Sequence, residues 1–157
     1  MSYRKKLLSK IDKNLKGDTV PFEEEWIGLH IKREGYKLLY DPTLIVDHFP
    51  QPPRKTYQDL RKWNSDTAYI RAYNQAYTLL QYFSFPRKVI FLFYSFLIGD
   101  MQNPGPGRLL ISLLKKDFEK SKEFLYPSFR GKIQGLFTYH YQTMKNSRNS
   151  NNLKAKQ

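Results

Sequence analysis

Phe22-Glu23-Glu24-Glu25-Trp26-Ile27-Gly28-Leu29-His30-Ile31-Lys32-Arg33-Glu34-Gly35-Tyr36-Lys37-Leu38-Leu39-Tyr40-Asp41-Pro42, with Val46-Asp47-His48 close behind, is the stretch that sets the fold class. Pro21 suits the first turn of a helix, where its missing N–H would have no partner anyway. Three carboxylates directly after it favour the positive end of the helix dipole. Trp26, Leu29 and Ile27 supply a buried stripe, while Lys32, Arg33 and Glu34 face water. Gly35 fits the helix end, where a left-handed residue is favoured. Residues 36–40 then read as a strand, Asp41-Pro42 as a turn, and residues 43–46 as a second strand that delivers His48.

Working outward, the N-terminal residues 3–10 read as a short basic helix. Beyond the Gln51-Pro52-Pro53 break the pattern is helical. Between residues 55 and 83, Tyr69, Tyr73, Ala76, Tyr77, Leu80 and Phe83 recur at three- and four-residue steps, the spacing of one helix face. An aromatic stripe of this kind reads as core or interface rather than as a cofactor site. Pro86 ends or restarts that helix. Residues 89–98 are apolar apart from Ser95 and the amphipathic Tyr94. Spanning a bilayer takes about 20 apolar residues, so this run is too short to cross one. It fits either a membrane interface, with Arg87 and Lys88 reaching the headgroups, or a buried helix.

Asn103-Pro104-Gly105-Pro106-Gly107 breaks the chain again. An amphipathic helix is expected over 109–126, with Leu110, Leu113, Leu114, Phe118 and Leu125 on its apolar side. A turn, a short helical stretch and a disordered polar tail over 146–157 should follow. The expected fold class is α+β, mainly α: an acidic helix plus a small β element over 1–50, then three or four helices over 54–145.

The chain holds 27 Lys and Arg against 14 Asp and Glu, a formal net charge of +13. The excess sits in one part: residues 1–47 hold nine basic and eight acidic residues, and residues 48–157 hold eighteen and six. Such a surface attracts polyanions, either an anionic leaflet or nucleic acid. Hydrophobic residues at 40% exclude a disordered chain and suffice for one packed domain. The absence of cysteine excludes a disulfide framework, a thiolate zinc site and a cysteine nucleophile. No apolar core follows the basic N-terminus, so no secretory signal is expected. The expected location is cytoplasmic, peripheral on the inner face of the membrane where 87–99 makes contact.

The opening stretch resembles the C-terminal catalytic segment of family 2, GT-A type, glycosyltransferases. Members typically show an acidic pair, a helix, a Gly-Tyr turn, a strand, Asp-Pro and a Val-x-His ending. Glu23-Glu24, Gly35-Tyr36, Asp41-Pro42 and Val46-Asp47-His48 match these in order. Met1-Ser2-Tyr3-Arg4-Lys5 is similar to a stretch upstream of the acids in that family. Tyr73-Asn74-Gln75-Ala76-Tyr77 through Asn103-Pro104-Gly105 is similar to the membrane-proximal tail of some bacterial members.

The resemblance implies transfer of a sugar from a nucleotide-sugar donor to an acceptor hydroxyl on a glycan or lipid, as in cell-envelope polysaccharide synthesis. Glu24 would be the general base with Glu23 beside it. His48 would help hold a divalent metal, manganese or magnesium, on the donor diphosphate. Trp26 stands where the family usually has an acid, His30 where it has an arginine, and Ile11-Asp12-Lys13-Asn14 is shorter than the usual Gly-Gly-Phe-Asp-Glu. No Asp-x-Asp metal motif and no glycine-rich phosphate loop occurs. The resemblance therefore implies an incomplete GT-A domain, lacking its nucleotide-binding half and inactive alone.

The same residues have plain structural readings. The glutamates can simply complement the helix dipole, His48 can be an ordinary strand-end histidine, His30 should face solvent or an interface, and His140 reads as structural. The competing function is a non-enzymatic basic helical module binding anionic membrane or nucleic acid. Nucleic acid is the less favoured partner, because the aromatic residues fall on apolar faces and no nucleic-acid motif occurs.

Overall fold

The computed structural model of the protein describes residues 12–17, 22–37, 39, 43, 64–100, 102–114 and 118–154. Five helices follow one another there: α1 (Glu23–Arg33), α2 (Ser65–Tyr82), α3 (Phe85–Leu97), α4 (Pro106–Leu114) and α5 (Phe118–Lys154). The mainly helical class holds. Among the described residues there is no strand, only an isolated bridge between Gly99 and Pro104. The strands expected over 36–40 and 43–46 fall partly outside the described residues; Tyr36, Lys37, Leu39 and Thr43 lie within them and carry no strand. The helix expected at 3–10, the break at 51–53 and His48 lie outside.

α1 stops where its sequence directs, but it starts at Glu23 with Phe22 as the N-cap, so Pro21, expected in the first turn, precedes the cap. Phe22 precedes it with φ of 77° and no side chain caps the N-terminus, so the first-turn carboxylates are what complements the open N–H groups. At the other end Gly35 takes φ of 83°. Its N–H donates to Lys32 O at 3.2 Å and that of Tyr36 donates to Ile31 O at 3.1 Å. This is a Schellman ending, and only glycine adopts its left-handed residue without strain.

The buried side of α1 differs from expectation. It is Trp26, Ile27, His30 and Ile31, whereas Leu29 is half-buried. His30, expected at solvent or an interface, is 6% exposed. Positions 26, 27, 30 and 31 form one contiguous stripe. Leu15 and Tyr82 pack against it, so the docking of α1 near the end of α2 selects that face.

α2 is capped by Asn64, whose Oδ1 accepts from Thr67 N–H at 2.8 Å. It packs along α5, and this pair is the centre of the molecule. Ala68, Ala72 and Ala76 are buried at four-residue spacing. Opposite them stand Gly131 and Gly135, with buried Ser128 one turn earlier. A Cβ on Gly131 would sit 2.3 Å from the Tyr69 carbonyl oxygen, and one on Gly135 2.6 Å from that of Tyr73. The two backbones touch, which small residues at i and i+4 on both helices permit.

The C-terminal organisation also differs. Of the helix expected over 109–126, α4 covers the part up to Leu114 and α5 the part from Phe118, running for 37 residues through Pro127; residues 115–117 lie outside the described residues. The turn expected after residue 126 is absent, and residues 146–154 of the expected tail are helical. Pro127 costs one backbone hydrogen bond, yet packing of the following turns on α2 keeps the helix going. Neither glycine nor proline follows Gly135, so no residue interrupts it thereafter.

Candidate functional site

Glu24 and Glu25 lie exposed on the first turn of α1, and Glu23 opens that helix. His48, Asp41 and Asp47 lie outside the described residues, so the geometry brings no acid–histidine constellation together. Among the described residues no three His, Asp or Glu side chains approach closely enough to hold a metal. The opposite face of α1 is the packed one. Trp26 stacks on His30 with ring centroids 4.8 Å apart, and Tyr82 meets both rings edge-on. His30 Nδ1 lies 3.2 Å from Tyr82 Oη, and Arg33 covers the Tyr82 ring at 4.4 Å. Burial pushes the Tyr82 phenol up to about 12, against the pull of Arg33.

Residues 12–17 dock on α2 through groups that the sequence reads only as an aromatic stripe. Asn74, fully buried, donates from Nδ2 to Lys16 O and accepts at Oδ1 from Lys16 N–H, each at 2.9 Å. Tyr73 donates to Asn14 O at 2.9 Å, and Tyr77 donates to Asp12 Oδ2 at 2.6 Å. Lys16 Nζ donates to Tyr69 Oη at 2.6 Å and lies over the Tyr73 ring at 4.3 Å. From α5, Gln142 donates to Asn14 Oδ1 at 3.1 Å.

Partial burial opposes ionisation of Asp12, but hydrogen bonds from Tyr77, Asn14 and Gln81 outweigh it and hold the carboxyl below its ordinary value. Burial and the Asp12 carboxylate push the Tyr77 phenol well up. The short Asp12-Lys13-Asn14 segment thus fixes the entry to α1 against both long helices. A visible signal for it was Asn74, a polar residue inside an apolar stripe.

α3 and α4 are built inside out. In each, the buried side chain is a serine, Ser95 or Ser112, at 3% exposure. Phe85, Ile90, Phe93, Tyr94 and Leu97 of α3 are exposed, as are Leu110, Leu113 and Leu114 of α4. Leu114 is 88% exposed. Within residues 89–98, Phe91, Leu92 and Phe96 are half-buried and the remaining apolar side chains are exposed. Arg87 is exposed beside this stripe, whereas Lys88 turns inward, donating to Tyr139 Oη at 2.5 Å over the ring face.

Lys132 of α5 pins this outward-facing unit. It is 1% exposed, and its Nζ donates to Ser95 O at 2.6 Å, Asn103 O at 3.0 Å and Pro104 O at 3.2 Å. Burial pushes the ammonium down to about 8, with the Asp100 charge opposing. It therefore keeps its charge at neutral pH, and its three N–H groups match three carbonyls, one of them at the negative end of α3. The connecting loop folds on itself through Asp100 Oδ1, which accepts from Gln102 N–H at 2.7 Å and Asn103 N–H at 2.6 Å. Asn103 Nδ2 ties the loop to α2 by donating to Gln75 Oε1 at 2.9 Å.

Between α2, α3 and this loop lies a cavity of about 370 Å³ lined by Gln75, Leu79, Phe83, Ile90, Phe91 and Asn103 among others. Comparison with protein-family models, with curated proteins and with solved structures yields no match.

Proposed function

We propose that the helical body docks on an anionic membrane surface through α3 and α4, and that the α1 segment contributes the acceptor side of a glycosyltransferase working there. The observation that carries the docking is the inversion of both helices, each burying a serine and exposing its leucines and aromatics. Exposed apolar surface on this scale marks an interaction face. At 13 and 9 residues the two helices suit an interfacial position. No helix among the described residues is long and apolar enough to cross a bilayer. The basic excess of residues 48–157 and the exposed Arg87 supply attraction to anionic headgroups. Exposed leucines and isoleucines favour a leaflet over nucleic acid, which offers stacking surfaces to aromatics but no apolar layer.

Wild-type protein should cosediment with phosphatidylglycerol vesicles, weakly with neutral ones, and less as salt rises. The double variant Leu110→Glu, Leu114→Glu removes two exposed side chains from the apolar face, so its helical content should not change. Its vesicle affinity should fall about a hundredfold, since each leucine buried in the interface contributes roughly 1.5–3 kcal/mol. Unaltered vesicle binding by the double variant would discard α3–α4 as the docking face.

The glycosyl-transfer part rests on the resemblance of residues 22–48. In that reading the segment after Gly35 presents His48 to a divalent metal. Glu24, at the open N-terminal turn of α1, takes the proton of the acceptor hydroxyl as its oxygen attacks the anomeric carbon and the bond to the donor's nucleoside diphosphate breaks on the opposite face, inverting that carbon. Co-expression with the product of the reading frame immediately upstream, the place for a nucleotide-binding half, gives the test. Glu24→Gln should lower nucleotide-sugar turnover by at least about a hundredfold while vesicle binding stays unchanged. An active pair whose rate is indifferent to this substitution would remove Glu24 from the role.

A further inference from the structure

The cavity between α2 and α3 has a chemical polarity along its length. α2 and α3 run in opposite senses across the short turn at 83–84, so Phe83 and Phe91 stand at one end and Gln75, Ser95 and Asn103 at the other. Leu79 and Ile90 line the stretch between, and Arg87, in the first turn of α3, lines the wall near Phe83 with its aliphatic stem as the chain-side contact and its charge at the open, exposed rim. Its volume falls in the roughly 300–1,000 Å³ range of small-ligand sites. Ser95 Oγ and Asn103 Oδ1 are buried with no hydrogen-bond partner among the described residues. Buried polar atoms are ordinarily satisfied, so an acceptor such as Asn103 Oδ1 calls for a donor.

We propose that this groove binds a single-chain, uncharged amphiphile whose hydroxyl-bearing head lies at the Gln75, Asp100 and Asn103 end and whose apolar chain runs past Leu79 toward Phe83 and Phe91. A hydroxyl donates to carbonyl and carboxylate oxygens, which are what this end presents. An anionic head would meet the Asp100 carboxylate there, while the nearby Lys132 ammonium is already committed to three carbonyls. A cationic head would instead meet the Lys132 ammonium, which stands close enough to Asp100 for the two charges to interact. Ile90 and Tyr94 belong both to the groove and to the exposed stripe of α3, so the groove opens onto the surface assigned to the membrane. The inference extends the membrane reading by naming what is drawn from the leaflet, and it does not depend on glycosyl transfer.

The test uses the full chain and octyl glucoside below its micelle-forming concentration, titrated by calorimetry and by methyl chemical shifts, with octyl phosphate as the charged counterpart. Wild type should show one saturable site for octyl glucoside and bind octyl phosphate at least about fivefold more weakly, the order expected for one like charge in a partly screened site. Leu79→Trp, which fills the groove, should weaken octyl glucoside about tenfold. Ile90→Asp, at a position 68% exposed and so harmless to the fold, should do the same.

Asp100→Asn keeps the oxygen that closes the loop and should abolish the preference over octyl phosphate. The Leu110→Glu, Leu114→Glu variant should bind octyl glucoside as wild type does, even while it loses vesicles. The proposal is overturned if wild type shows no saturable site, if both groove variants bind normally, or if the α4 variant loses the ligand. Equal binding of octyl phosphate by wild type overturns the head assignment. Vesicle binding that persists through any of these results leaves the membrane reading standing by itself, and its loss without loss of octyl glucoside does the reverse.

Discussion

Gly131→Ala is expected to lower the thermal unfolding midpoint by about 6 °C, the shift that a net loss of roughly 2 kcal/mol produces in a chain of this size. The added methyl would lie 2.3 Å from the Tyr69 carbonyl oxygen and 3.0 Å from the Ala72 Cβ. Neither neighbour is the far end of a flexible side chain, so the strain cannot be relieved by a rotamer change. α2 and α5 must separate, and separation loosens Ala68, Ala72 and Ala76 together. Overpacking of this kind typically costs about 1–3 kcal/mol and occasionally more. A glycine-to-alanine change inside a helix otherwise gains up to about 1 kcal/mol from propensity. The two effects oppose each other in sign, which makes the measurement decisive. Differential scanning calorimetry that shows an unchanged or raised midpoint would mean that the helices do not cross at Gly131.

That crossing was only half legible in the chain. The spacing of Ala68, Ala72 and Ala76 and of Gly131 and Gly135 is open to view, but sequence does not say which stripe meets which. The aromatic stripe drew attention instead, and rightly at Tyr73, Tyr77 and Leu80, which are buried. Its hydroxyls and Asn74 proved to hold residues 12–17, a pairing across some sixty residues that no local pattern announces. The ends of α1 were legible because charge placement and a left-handed glycine act locally. Residues 89–98 were ambiguous for the opposite reason: a short apolar run has the same periodicity whether it faces a core or a leaflet. Only the folded chain, with Ser95 on the inner side, shows that most of the larger apolar side chains turn outward. Of the candidate catalytic residues, Glu24 stands at the helix terminus that the sequence indicates.

Lys132→Met should cost a further 3 kcal/mol or so, by a mechanism that sequence concealed completely. A lone lysine in a basic stretch reads as a solvated side chain, yet this one is buried among the carbonyls of Ser95, Asn103 and Pro104. Methionine fills similar space but leaves those oxygens with no donor. Each hydrogen bond to a charged group contributes about 1.5–3 kcal/mol, offset here by relief of the buried charge. The loss should be local before it is global: amide exchange should accelerate first in the last turn of α3 and in residues 98–105, with the α2–α5 seam still protected.

The pH dependence gives an independent check, with its sign set by linkage. Burial holds the folded-state ammonium at about 8, below the roughly 10.4 of an exposed lysine. Between those values the unfolded chain binds more protons than the folded one, so wild-type stability rises with pH through that window. Lys132→Met has no such group and should not share the rise, so its deficit against wild type should widen between about pH 8 and pH 10. A constant deficit across that range would show that the three carbonyls, with Asp100, hold the ammonium at its ordinary pKa. Normal stability together with unchanged exchange in 98–105 would mean that Lys132 does not anchor the outward-facing helices at all.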